Sequence, residues 1–341
     1  PRSSLEAMRT ALQYALQQNL TVFPDVNYVT GYPPITGSPW DVAGSPWGVE
    51  ASPWDVAGSP WDVAGSPIYG TPAEKLAGYQ TIAERTFWTQ WAFQSGTGVG
   101  TYTREYVRQL SSSADGTGTQ VAIFDTAPYT TAGLHIETRK QLTVNLCVDL
   151  LPLPVPEIPA DKTGYMRDHG LFGAGLVYAS APQTQLELIR VLDDNAVGDL
   201  FTLIQGINGF THAKALTTGG HLAGNVYNFS LGLRAGPDSL PDDIRKLIQT
   251  LYDRVPVAER PELINGMPLP SLEAPLYSAY YLGAVLIASA GNGSANLASP
   301  LPAEIPGAYS KVLAVASSNL KGSHACYSNA GEVHTPGADG G

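Results

Sequence analysis

Cysteine is almost absent from this 341-residue chain, which holds only Cys147 and Cys326. Two thiols cannot build a disulfide framework, and their spacing fits no zinc motif, so they form either one bridge or two free thiols. Charge is scarce as well. Charged residues make up 14% of the chain, against about 25% in an ordinary globular protein, so the surface relies on uncharged polar groups, glycine and proline. The 19 basic residues are outnumbered by 30 acidic ones, giving a net charge of −11, which argues against broad attachment to nucleic acid or an anionic membrane. Long apolar runs are missing too. The longest, Leu282 to Ala290, is interrupted by Gly283 and Ser289 and falls short of the roughly 18 residues a spanning helix needs. No basic-then-apolar leader precedes Pro1, and the chain stops at Gly340 and Gly341, so it reads as cut at both ends.

What is present is organised in three parts. Ser3 and Glu6 stand three apart at the head of a run carrying Leu5, Met8, Leu12 and Leu16, a capping box opening a short amphipathic helix. Leu20 to Val29 then reads as extended, broken by Pro24. Next come copies of a seven-residue repeat: Ser38 to Gly44, Ser45 to Ala51, Ser52 to Gly58, Ser59 to Gly65, and a decayed copy from Ser66 to Gly70. Period seven suggests a coiled coil, but a proline in every copy excludes it, because proline breaks the helix and pushes its predecessor out of the helical region. The segment reads as an extended or turn-rich linker. It also carries Trp40, Trp47, Trp54 and Trp61, which leaves a ligand-contacting or adhesive role open.

From about Phe87 short apolar runs alternate with helical periods. The runs are 120–125, 186–192, 225–231, 284–290 and 311–316, and their near-continuous apolar character predicts strands buried on both faces. Between them, Leu200, Leu203, Ile204 and Ile207 follow Asp199 as a predicted N-cap, and Ile244, Leu247, Ile248 and Leu251 follow Pro241 at a predicted first turn. This alternation predicts an α/β fold, a parallel sheet flanked by helices on both faces. In such sheets chemistry gathers at the carboxyl ends of the strands.

Four segments stand at those ends. The first strand closes on Asp125-Thr126, an acid suited either to orient a base or to cap a turn. Asp168-His169-Gly170 opens a predicted helix, whose N-terminus disfavours positive charge and keeps an imidazole ready to accept a proton. Asn228 to Gly232 ends another strand. Ala290-Gly291-Asn292 ends the next, where an asparagine amide either faces a developing oxyanion or merely occupies a turn.

In this order these segments resemble the subtilisin-like serine peptidases, the subtilases, whose pattern runs Asp-Thr or Asp-Ser-Gly, His-Gly, Asn-Met-Ser-Leu-Gly and Ala-Ala-Gly-Asn. Val177 to Pro182, Leu188 to Leu192, Tyr327 to Gly331 and Pro336-Gly337 extend the likeness over roughly 87–341. The resemblance implies a secreted or cell-surface endopeptidase acting on polypeptides, with Asp125 orienting His169, His169 as base and then acid, and Asn292 as oxyanion donor. It implies that Ser230, Leu231 and Gly232 present backbone to an extended substrate. It also implies that Leu5 to Val29 is the end of an inhibitory propeptide, giving a propeptide over 1–30, a linker over 31–86 and a peptidase domain over 87–341. Maturation is expected between Gly70 and Phe87. No cofactor is required; calcium is common in the family, but no loop here shows its ligand spacing.

The chain departs from the family in Ala127, where Gly is usual, and in Leu171, Phe172 and Gly173, where Thr-His-Val is usual. The family's Gly-Thr-Ser nucleophile motif does not occur in these residues, and Ser323 precedes the Tyr327–Gly331 segment, where the family has a surface turn. The expectation is therefore a nucleophile downstream of Gly341, with these residues alone inactive. Two other readings stand beside the peptidase: a non-catalytic peptide-binding relative, and an adhesion protein working through the repeats.

Overall fold

The computed structural model describes residues 4–21, 23, 29–31, 115–127, 135–136, 140–141, 143–146, 169–181, 183–193, 197–233, 240–264, 266–294, 299–317, 324 and 327–330. The repeats, Asp168, Ser323, both cysteines and the Pro336-Gly337 turn lie outside the described residues, as does most of Leu20 to Val29.

Side chains along a strand alternate between faces. In β2 (Gln120–Asp125), Val121 and Ile123 therefore point one way, and Ala122 and Phe124 the other. Val121 and Ile123 join Leu186 and Leu188 of β6 (Gln185–Arg190) beneath α2 (His169–Ser180), together with Ala174 of that helix. Ala122 and Phe124 join a larger cluster with Leu203, Ile207 and Phe210 of α3 (Leu200–Thr218) and Leu272 and Leu276 of α5 (Pro270–Tyr281). The central strands are thus covered on both faces, as an apolar parallel strand requires.

The sheet has six strands in the order β12, β11, β8, β2, β6, β5, all adjacent pairs parallel. Here β5 is Thr143–Leu146, β8 Asn225–Phe229, β11 Val285–Ser289 and β12 Leu313–Val315. This is the α/β architecture expected from the alternation. Phe124, Phe210, Tyr227 and Phe229 pack ring on ring in its centre. Burial there pushes the Tyr227 hydroxyl up to about 12. Two expectations are corrected. β12 is not buried on both faces, since Leu313 and Val315 are exposed; it pairs with β11 alone, at the end of the strand order. Pro241 is the N-cap of α4 (Asp242–Arg254) rather than part of its first turn, with extended backbone (φ −57°, ψ 147°). Asp199 caps α3 as expected, its side chain accepting from Thr202 N at 3.0 Å.

The amino-terminal part is docked onto this body. α1 (Ser4–Gln17) lays Met8, Leu12 and Ala15 against Ile244, Ile248 and Leu251 of α4 and Met267. Arg9 pairs with Asp243 beside this contact. β1 (Val29–Gly31) pairs antiparallel with β7 (Val197–Asp199), Val29 opposite Asp199. Two further antiparallel pairs are β3 (His135–Ile136) with β4 (Lys140–Gln141), and β9 (Leu263–Ile264) with β10 (Met267–Pro268).

Candidate active site

Asp125 is the last residue of β2 and is fully buried. Its backbone carbonyl accepts from Val191 and Leu192 at 3.0 and 3.3 Å, locking the strand end to the residues after β6. Its carboxylate accepts from Thr126 N at 2.6 Å. Arg190, opposite Asp125 in the register, is buried and donates to the Ala127 carbonyl, tying down the turn that follows. Ala127 itself is fully buried in the cluster under α2. The methyl group in place of the family's glycine therefore fills core volume, which accounts for that departure.

His169 is the first residue of α2, and its Nδ1 lies 2.8 Å from each Asp125 carboxylate oxygen. The two residues are 44 positions apart in sequence. Because a carboxylate only accepts, Nδ1 carries the hydrogen, and Nε2 is left as the acceptor in the neutral ring. The imidazole keeps 11% of its side-chain surface in solvent, while Asp125 is sealed at 1%. One end of the pair is thus held in the interior and the other reaches the surface. Gly170 makes this approach possible: its N–H donates to Thr126 Oγ1 at 3.1 Å, and a Cβ there would overlap the Thr126 carbonyl oxygen and lie 2.9 Å from Asp125 Cβ.

β8 and β11 lie beside β2 in that order. At a strand spacing of about 4.8 Å, the ends of β2 and β11 are roughly 10 Å apart, with the end of β8 between them. β8 stops at Phe229, so Ser230, Leu231 and Gly232 lie past the strand. Asn228 Nδ2 donates to Ser230 Oγ at 3.0 Å. Leu231 is buried in the core while Gly232 is half-buried, an anchor that holds the local backbone at the sheet edge.

Asn292 is half-buried on the turn after β11. Gly291 before it has φ +100°, a conformation that glycine adopts without strain. Its carbonyl accepts from Asn329 N at 2.8 Å, and Asn329 Oδ1 accepts from Ser294 Oγ at 2.7 Å. The turn carrying Asn292 is therefore braced from both sides. Asn329 is buried, and sequence reasoning did not single it out; only its place in Tyr327–Gly331 marked it. Glu304 carried no mark at all. Its side chain sits between Gly232 and Gly291, so that a Cβ on Gly291 would lie 2.8 Å from Glu304 Cδ. Among the described residues, no three His, Cys, Asp or Glu side chains gather to hold a metal ion, and no calcium position follows from this geometry.

A buried carboxylate aligning an imidazole at one strand end holds the ring in the tautomer that accepts a proton at Nε2, and Asn292 stands on a braced turn two strands away. The family model that matches residues 116–339 is described as the subtilase family. The chain is 27% identical over 183 residues to the minor extracellular protease Epr of Bacillus subtilis (strain 168), an alignment covering 50% of this chain and 21% of that protein. The chain thus spans about a fifth of that relative's length.

Proposed function

The chain belongs to the subtilase family, and from that premise we propose that it carries the proton-handling and oxyanion-binding parts of a secreted serine endopeptidase. A serine hydroxyl attacks the scissile carbonyl of a polypeptide and His169 Nε2 takes its proton. Asp125 holds the Nδ1–H tautomer and stabilises the imidazolium that forms. The carbonyl oxygen, now negative, accepts from the Asn292 amide. His169 then returns the proton to the departing amine, and water releases the acyl group by the same steps reversed. Ser230 to Gly232 align the substrate backbone as an added strand. The observation that carries this reading is the pair of 2.8 Å approaches of His169 Nδ1 to a fully buried Asp125.

The nucleophile in this proposal is a serine in the family's motif, which residues 1–341 do not contain. α1 and the strand piece that follows belong to a pro-segment over 1–30, docked through Leu12 and the Arg9–Asp243 pair and released by cleavage between Gly70 and Phe87. The similar protein's name describes it as extracellular, which supports secretion. No helix among the described residues is long and apolar enough to cross a membrane.

The test uses the full-length protein. It should react covalently with a serine-directed phosphonate and hydrolyse an unfolded protein substrate. Asp125→Asn should lower kcat by about 10⁴, as loss of the orienting aspartate does in chymotrypsin-like peptidases. Asn292→Ala should lower it by about 10² to 10³, as loss of the equivalent donor does in subtilisin itself. A full-length protein that binds peptides without labelling would be a non-catalytic relative. N-terminal sequencing of the mature product that still begins at Pro1 would defeat the pro-segment assignment.

A further inference from the structure

We infer that Glu304 makes the groove selective for a lysine or arginine side chain on the substrate residue that supplies the scissile carbonyl. The inference rests on the peptidase reading for which groups that carbonyl faces.

Glu304 lies on the loop between β11 and β12, and its backbone is gripped from two sides. Its N–H donates to the Ala290 carbonyl at 2.9 Å, at the end of β11. The next residue, Ile305, accepts from Leu233 N at 2.8 Å and forms an antiparallel bridge with it, just past Gly232. The Glu304 Cα is therefore held against the ends of both β8 and β11. From there the side chain passes between two glycines on separate segments. A Cβ on Gly291 would stand 2.8 Å from Glu304 Cδ and 2.9 Å from Cγ, and one on Gly232 would overlap Oε2 with Cδ at 3.3 Å. Any larger residue at either position would drive the carboxylate out.

Gly232 ends the segment that aligns the substrate backbone, and Gly291 precedes the asparagine that receives the carbonyl oxygen. In this proposal a substrate residue with its backbone along Ser230 to Gly232 and its oxygen at Asn292 directs its side chain toward the gap between them. That gap holds the half-buried Glu304 carboxylate. A partly desolvated carboxylate attracts a cation more strongly than one in open water. It also repels an acidic side chain, and an apolar one buries it further without supplying a compensating charge. By the same physics, an aspartate in the specificity pocket of trypsin sets that enzyme's basic preference.

The experiment compares two fluorescent peptides, Ala-Ala-Pro-Arg-Ala and its citrulline counterpart, which differ in charge and hardly in shape. Binding to this chain is read by anisotropy, for wild type, Glu304→Gln and Glu304→Asp. The arginine peptide should bind roughly tenfold to a hundredfold tighter, the range of a hydrogen bond to a charged group. The gap should close in Glu304→Gln and persist in part in Glu304→Asp. Equal wild-type affinities, no binding of either peptide, or a gap that survives Glu304→Gln each overturn the assignment; the wild-type comparison needs no variant to fold. The full-length protein is then given p-nitroanilides of the same series. Hydrolysis without a basic preference removes the role of Glu304 and leaves the peptidase reading standing. Charge-selective binding without hydrolysis or phosphonate labelling does the reverse.

Discussion

Gly170→Ala tests whether α2 sits directly on the end of β2. The added methyl would lie 2.9 Å from Asp125 Cβ and 3.2 Å from Leu188 Cδ2, besides overlapping the Thr126 carbonyl oxygen. Carbon atoms at rest are about 3.5–4.0 Å apart and the overlap with the carbonyl oxygen is deeper still, so the start of α2 must retreat by about 1 Å. His169, one residue away, retreats with it. Its 2.8 Å approaches to Asp125 then lengthen past the roughly 3.2 Å limit of a good hydrogen bond. Overpacking of this kind costs about 1–3 kcal/mol. In a body of this size each kcal/mol lowers Tm by about 2–4 °C. Gly173→Ala is the internal control, on the same helix, where an added Cβ meets nothing within 4 Å among the described residues. There alanine should stabilise by about 0.5–1 kcal/mol through helix propensity and a less flexible unfolded chain. Thermal unfolding of the three proteins reads the stabilities, and the His169 Nδ1 proton resonance reads the pair. A Gly170→Ala protein that melts no lower than wild type and keeps that resonance would refute the contact geometry.

Two further outcomes concern the docked amino-terminal helix. Leu12 is fully buried between α1 and α4, so Leu12→Ala should weaken docking by about 2–5 kcal/mol. Limited proteolysis should then cut α1 far faster than in wild type, and an unchanged digestion pattern would contradict the packing. The hydrogen bond from Arg9 holds the Asp243 carboxyl below its ordinary value. A group depressed in the folded state contributes above its unfolded pKa, about 3.9, and loses that contribution as pH falls through the folded one. Hydrogen-exchange protection in α1, taken relative to the unstructured rate at the same pH, should therefore fall modestly below about pH 4 in wild type. Asp243→Asn should remove that part of the pH response, and an identical response in both proteins would show that the pair does not couple to docking.

The strands and helices were legible because each buries a face at its own period. Val121 to Phe124 and Leu186 to Ile189 carry apolar groups on both faces, and Asp199 announces the start of α3 by its capping chemistry. The candidate-site segments were legible for a related reason: a strand end, a helix start and a tight turn each restrict residue choice, so Asp125-Thr126, His169-Gly170 and Gly291-Asn292 form short signatures. Glu304 was not legible. It stands in an aperiodic loop, and its significance comes from two glycines 72 and 13 positions away, at 232 and 291. The end of β8 at Phe229 rather than Leu231 was also hidden, since Leu231 stays buried after strand pairing stops. So was the burial of Ala127, which looked only like a departure from a pattern.

By itself the sequence determined that residues 120–315 alternate strand and helix around apolar cores, that a proline in every repeat argues against a coiled coil, and which side chains have the chemistry to move a proton. Those properties are local, written in the spacing of neighbours and in the backbone preferences of proline and glycine. Tertiary structure alone decided that β2 lies between β8 and β6, that His169 meets Asp125 across 44 residues, that Leu12 rests on α4, and that Glu304 enters the gap between Gly232 and Gly291. These depend on strand order and on how packed faces bring distant segments together, which no short stretch of chain encodes.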